Sequence, residues 1–98
     1  MSARSGGCLC GAVRFTATLT SRDFGACHCE MCRRWTGSAL LGITVPQDNV
    51  QWQGAAQIAR FQSSNWAERA NCRTCGSPLY YHVTPKGAMS ANLEIPVG

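Results

Sequence analysis

Residues Ala12 to Leu19 alternate, with Val13, Phe15, Ala17 and Leu19 on one parity and Arg14, Thr16 and Thr18 on the other. A two-residue period predicts a strand with one face buried. The apolar run Ala39 to Val45 predicts a buried strand, stopped by Pro46. Beyond a turn at Pro46 to Asn49, Val50 and Trp52 alternate with polar neighbours and predict another short strand. Gly54 to Gln62 fits two templates, because Ala55, Ala56, Ile58, Ala59 and Phe61 suit a helix or an irregular strand. Ser63-Ser64-Asn65 breaks the pattern, and Ala67 to Asn71 leads into a cysteine knuckle. Leu79 to Val83 predicts a strand, Pro85-Lys86-Gly87 a turn, and Ala88 to Ile95 a last strand. No repeat, linker or low-complexity tract interrupts this series. It predicts one small, mostly β domain over residues 1–98.

Composition adds a difficulty and its remedy. A chain of 98 residues buries a modest core and often needs a staple. Only 14% of residues are charged, whereas cysteine is over-represented at seven. Metal ions or disulfides must therefore contribute stability. No apolar stretch long enough for a secretory core or a membrane span is visible. An odd cysteine count with Cys-x-Cys and Cys-x-x-Cys spacings fits metal ligation better than a disulfide framework. The expectation is a reduced, cytoplasmic zinc protein with no membrane partner.

The cysteines fall in three places. Cys8 and Cys10 sit between glycines, Cys27, Cys29 and Cys32 lie within six residues, and Cys72 and Cys75 form the knuckle. Four thiolates close a structural zinc site, and three leave one position open. Cys8/Cys10 with Cys72/Cys75 would clasp distant parts of the chain and leave the triad open. Cys29/Cys32 with Cys72/Cys75 would instead make a zinc ribbon and leave Cys8, Cys10 and Cys27 over. Periodicity does not choose between them.

The formal charge of +4 suggests an anionic partner but counts every thiol as neutral. Seven thiolates subtract seven charges and two zinc ions return four, which leaves +1. No basic stripe interleaved with aromatics is present, so a nucleic-acid partner is disfavoured.

Three stretches together resemble a known family. Gly7-Cys8-Leu9-Cys10-Gly11, then Cys27-His28-Cys29-Glu30-Met31-Cys32-Arg33-Arg34 with Gly37-Ser38, then Cys72-Arg73-Thr74-Cys75-Gly76-Ser77-Pro78-Leu79 look like the glutathione-dependent formaldehyde-activating enzymes. The resemblance implies the Mss4-like β fold of that family. It also implies a structural zinc on Cys8, Cys10, Cys72 and Cys75 and a second, functional zinc on Cys27, Cys29 and Cys32. Asn71 departs from the pattern, since such proteins usually carry an aromatic residue there.

The implied activity is that of a zinc-dependent carbon–sulfur lyase that forms or cleaves S-hydroxymethylglutathione. Glutathione carries carboxylates, which Arg33 and Arg34 could receive through their planar forks, with Ser38 as a further contact. Plainer readings stand beside these. The triad could hold a second structural zinc, completed by a ligand from elsewhere, in a non-catalytic module that binds another protein. Arg33 and Arg34 could simply neutralise the thiolates. His28 is expected to face solvent or assist a ligand, and His82 to lie on a strand surface. Trp35, Trp52 and Trp66 are expected in the core, and Ser63 and Ser64 in turns or caps.

Overall fold

Two antiparallel sheets pack against each other in a computed structural model that describes residues 2–21, 23–85 and 88–97. The smaller sheet has three strands in the order β1 (Ser2–Gly7), β2 (Arg14–Leu19), β5 (Val50–Gln53). The larger runs β3 (Gly25–Cys27), β4 (Leu40–Pro46), β9 (Asn92–Pro96), β8 (Pro78–Val83), β7 (Ala67–Cys72), β6 (Ile58–Ser64). One short helix, α1 (Glu30–Thr36), stands between β3 and β4. The mostly-β expectation holds.

The alternation read along β2 is the alternation of burial. Ala17 is fully enclosed, with Phe15 and Leu19 packed against the core, while Arg14 and Thr16 face solvent. Residues from both sheets meet in that core: Val13 and Val50 on one side, Val45, Ala70, Leu79, Leu93 and Ile95 on the other. Trp52 bridges the layers, 5.3 Å from Phe15 and 5.6 Å from Tyr80 between ring centroids. Such tilted pairs suit the quadrupoles of aromatic rings.

Several local expectations are corrected. Residues 88–95 split into a 3-10 turn (Ala88–Ala91) and β9, so the last strand is shorter than predicted. The ambiguous stretch after Gly54 is likewise a 3-10 turn (Ala55–Gln57) followed by β6, which continues through Ser63 and Ser64. β4 is not buried on both faces, because Leu41 and Thr44 are exposed. Trp66 is 45% exposed and rests edge-on against Tyr81 instead of entering the core. The turn expected over 85–87 falls mostly on Lys86 and Gly87, outside the described residues. β1, β3, β7 and α1 are additional to the elements predicted.

Two candidate metal centres

The larger cysteine cluster is built where two strand ends meet. Cys8 follows β1 and opens a tight loop closed by its own N–H, which donates to Val13 O at 3.0 Å. Cys72 ends β7, and its N–H donates to Ser77 O at 2.9 Å. Gly11 and Gly76 take φ values of +82° and +81° in the two turns, a region that glycine enters without cost. A hydrogen bond from Leu9 N–H to Ser77 Oγ, 3.1 Å, ties one turn to the other. The Sγ atoms of Cys8, Cys10, Cys72 and Cys75 consequently lie within 4.8 Å of one another.

Their spacing tests whether zinc fits. Zn–S bonds of about 2.3 Å in a tetrahedron set sulfurs about 3.8 Å apart. Cys8 to Cys10 measures 3.6 Å and Cys10 to Cys72 3.7 Å. Backbone N–H groups aim at the sulfurs, from Val13 to Cys8 at 3.3 Å and from Thr74 to Cys72 at 3.4 Å. Donors of this kind stabilise thiolate. Ser77 pulls the Cys75 thiol down to about 5, first through its hydroxyl and then through its backbone. At Cys10 the Ala12 backbone pulls downward, but burial and the neighbouring sulfurs prevail and lift the thiol to about 11. Four crowded thiols cannot all ionise unless a cation joins them. The donor set fits zinc.

The triad is assembled by α1. Cys27 closes β3, Cys29 is the N-cap, and Cys32 lies in the first helical turn. The Cys29 sulfur accepts the Cys32 N–H at 3.3 Å, taking the place of a hydroxyl cap. Gly37 ends the helix at φ +82°, donating to Arg33 O at 2.8 Å. The three sulfurs also lie within 4.8 Å of one another, with Cys27 and Cys29 exposed and Cys32 buried. The capped backbone N–H of Cys32, then its side chain, lowers the Cys29 thiol to about 7. Burial, then the other two sulfurs, raises Cys32 to about 12. Three donors on one side of an accessible position fit a zinc with one ligand to spare.

The structure thus brings Cys8/Cys10 together with Cys72/Cys75 and keeps Cys27, Cys29 and Cys32 apart as a separate group. The ribbon arrangement does not form. Arg33, Arg34 and Ser38 share an open depression of about 480 Å³ with Glu30 and Gly37. Arg34 is already engaged by Glu30 at 2.9 Å, both largely exposed, and Arg33 Nε donates to His28 O at 2.9 Å. His28 is exposed, as expected. His82 is half-buried, with Nδ1 3.2 Å from Glu68 and Nε2 2.8 Å from Ser90 O.

Three residues beside the triad carry no signal in the sequence. Tyr81 and Glu94 pair across β8 and β9 and line a second cavity of about 220 Å³, together with Ala26, Cys27, Cys32 and Gly42. Burial raises the Tyr81 phenol above its ordinary range, so it stays a donor. Glu94 accepts a hydrogen bond from the Thr44 hydroxyl. Arg69 is the third, and its Nη1 donates to Cys32 Sγ at 3.5 Å. A lone arginine between polar and small residues reads as solvent-facing, and only its place three residues before Cys72 sets Arg69 apart.

Comparison with known proteins supplies the remaining constraint. The family model described as glutathione-dependent formaldehyde-activating enzyme matches residues 3–98. An uncharacterized lyase of Schizosaccharomyces pombe is 33% identical over 79 residues, which are 81% of this chain and 57% of that protein. The chain therefore spans little more than half the length of this curated relative. A Rhodobacter sphaeroides protein of known crystal structure superposes with a TM-score of 0.80, covering 96% of this chain and 84% of that one. At 24% identity that likeness shows a shared fold.

Proposed function

Because this chain belongs to the glutathione-dependent formaldehyde-activating enzyme family, we propose that it is a zinc-dependent carbon–sulfur lyase acting on a glutathione–aldehyde adduct. The observation that carries the reading is the triad. Three thiols gather beside an accessible cavity, apart from a four-thiol cluster that meets the structural requirement by itself. Cys8, Cys10, Cys72 and Cys75 would hold the structural zinc, and Cys27, Cys29 and Cys32 the second. Zinc at the triad would supply a position for an exogenous thiol and favour its ionised form.

In the forward direction the glutathione sulfur bonds to the formaldehyde carbon, and the carbonyl π pair moves to oxygen, which takes up a proton. The reverse breaks the same C–S bond and returns the proton to sulfur. Tyr81 is the donor available to that oxygen, and Glu94 is an acceptor on the same wall. Arg33 and Arg34 receive a glutathione carboxylate in the depression that they line with Ser38. All seven cysteines are free thiols, and ligation requires that they stay so. We therefore place the protein in a reducing, cytoplasmic setting.

Exchange NMR with ¹³C-formaldehyde and glutathione tests the activity directly. The zinc-loaded protein should accelerate adduct formation over the buffer reaction, and Cys27→Ser should abolish the acceleration while retaining the four-thiol zinc. An exchange rate equal to buffer would rule out the lyase and favour a non-catalytic zinc module.

A further inference from the structure

Among the described residues Arg69 is the only charged side chain that the fold buries, at 4% exposure. Its guanidinium lies 4.7 Å from the Tyr81 ring centroid and 5.1 Å from that of Trp35. Nη1 reaches Cys32 Sγ, and Nε donates to Ser63 Oγ at 3.3 Å. Nη2 is buried with no hydrogen-bond partner. The ion pairs among the described residues are Arg34–Glu30 and His82–Glu68, so no carboxylate compensates Arg69. Burying an unpaired guanidinium and leaving one of its donors unmade are both costly. A side chain needed only to fill the gap between two rings would not carry a charge there.

The compensating anion is the triad. Three thiolates around a divalent ion carry one net negative charge, and Arg69 brings the assembly to neutrality. We propose that Arg69 is the counter-ion of the Cys27–Cys29–Cys32 centre, a positioning residue that acts on the metal through Cys32. Arg33 and Arg34 cannot substitute, because they are exposed and their charge is screened by water. The inference rests on the triad being a metal centre, and wild-type metal uptake tests that premise separately.

Chelator competition on zinc-loaded Arg69→Met should show the triad ion held about 10- to 100-fold more weakly, the usual effect of losing a partner of a metal ligand. The four-thiol ion should be unaffected. Arg69→Lys should recover part of the affinity, because it restores charge but not the fork.

A thermal comparison separates this role from packing. In a background with Cys27, Cys29 and Cys32 all changed to alanine, Arg69 has lost its counter-charge, so Arg69→Met should raise the melting temperature. In loaded wild type the same change should lower it. A packing role would lower it in both, and that result would overturn the proposal, as would a triad affinity unchanged by Arg69→Met. If Arg69→Met does not fold in the wild-type background, the sign in the alanine background still decides. A wild type that takes up only one ion would refute the metal premise and this proposal together.

Discussion

Arg33 and Arg34 are adjacent in sequence but differently engaged. Arg34 is forked onto Glu30, so an incoming carboxylate must displace an anion already in place. Arg33 is held by its Nε alone, to a carbonyl in the triad loop. Both are exposed, which limits a carboxylate contact to about 1 kcal/mol or less. Arg33→Ala should therefore weaken glutathione binding by up to about fivefold, and Arg34→Ala by less. Neither should alter binding of 2-mercaptoethanol, which has no carboxylate. Calorimetric titration of both variants with both thiols checks this, and equal losses for the two thiols would show that the arginines act on the metal instead. At this scale the ligands were legible and their surroundings were not. Ligand spacing is written along the chain, whereas Arg69 meets Cys32 across 37 positions.

Among the elements, the strands with a clear two-residue period were readable, and those without one were not. β1 is Ser-Ala-Arg-Ser-Gly-Gly, polar and small, and becomes a strand through its ladder with β2. α1 is one and a half to two turns long by the usual pitch and is capped by a cysteine, so neither its length nor its cap announces a helix. Propensity is a weak guide where tertiary contacts decide. The turn after β5 shows how strongly such contacts act. Gly54 has φ +78°, and a Cβ there would lie 2.0 Å from Ala12 O, in the loop that carries Cys8 and Cys10. Gly76 has nearly the same φ but open space around it. Gly76→Ala should cost about 1–2 kcal/mol, the conformational penalty alone. Gly54→Ala should cost roughly 3 kcal/mol or more, since overlap with backbone adds to strain. Urea denaturation of both proteins measures the difference, and equal midpoints would mean that the β5 turn does not press on the Ala12 loop.

Across the whole molecule, the two centres differ in what they join. Cys8 and Cys10 lie beside the small sheet, while Cys72 ends a strand of the large one and Cys75 follows it, so an ion shared by the four would fasten the two layers. The triad joins residues already close in the chain, between β3 and the first turn of α1. Loss of the first ion should therefore unfold the protein, and loss of the second should not. Structural zinc contributes on the order of 10 kcal/mol of folding free energy, comparable to the entire stability of a small domain, roughly 5–15 kcal/mol. Cys75→Ser should leave an unfolded or aggregated chain. Cys27→Ser should retain native circular dichroism with one zinc per chain. Cys27 is the better probe of the triad, because it is exposed, whereas changing Cys32 would also disturb Arg69. Chelator titration of wild type should accordingly remove one equivalent before any loss of structure and the second together with it. Simultaneous loss of both ions and the fold would mean that the triad, too, fastens the layers, leaving no exchangeable position for a substrate thiol.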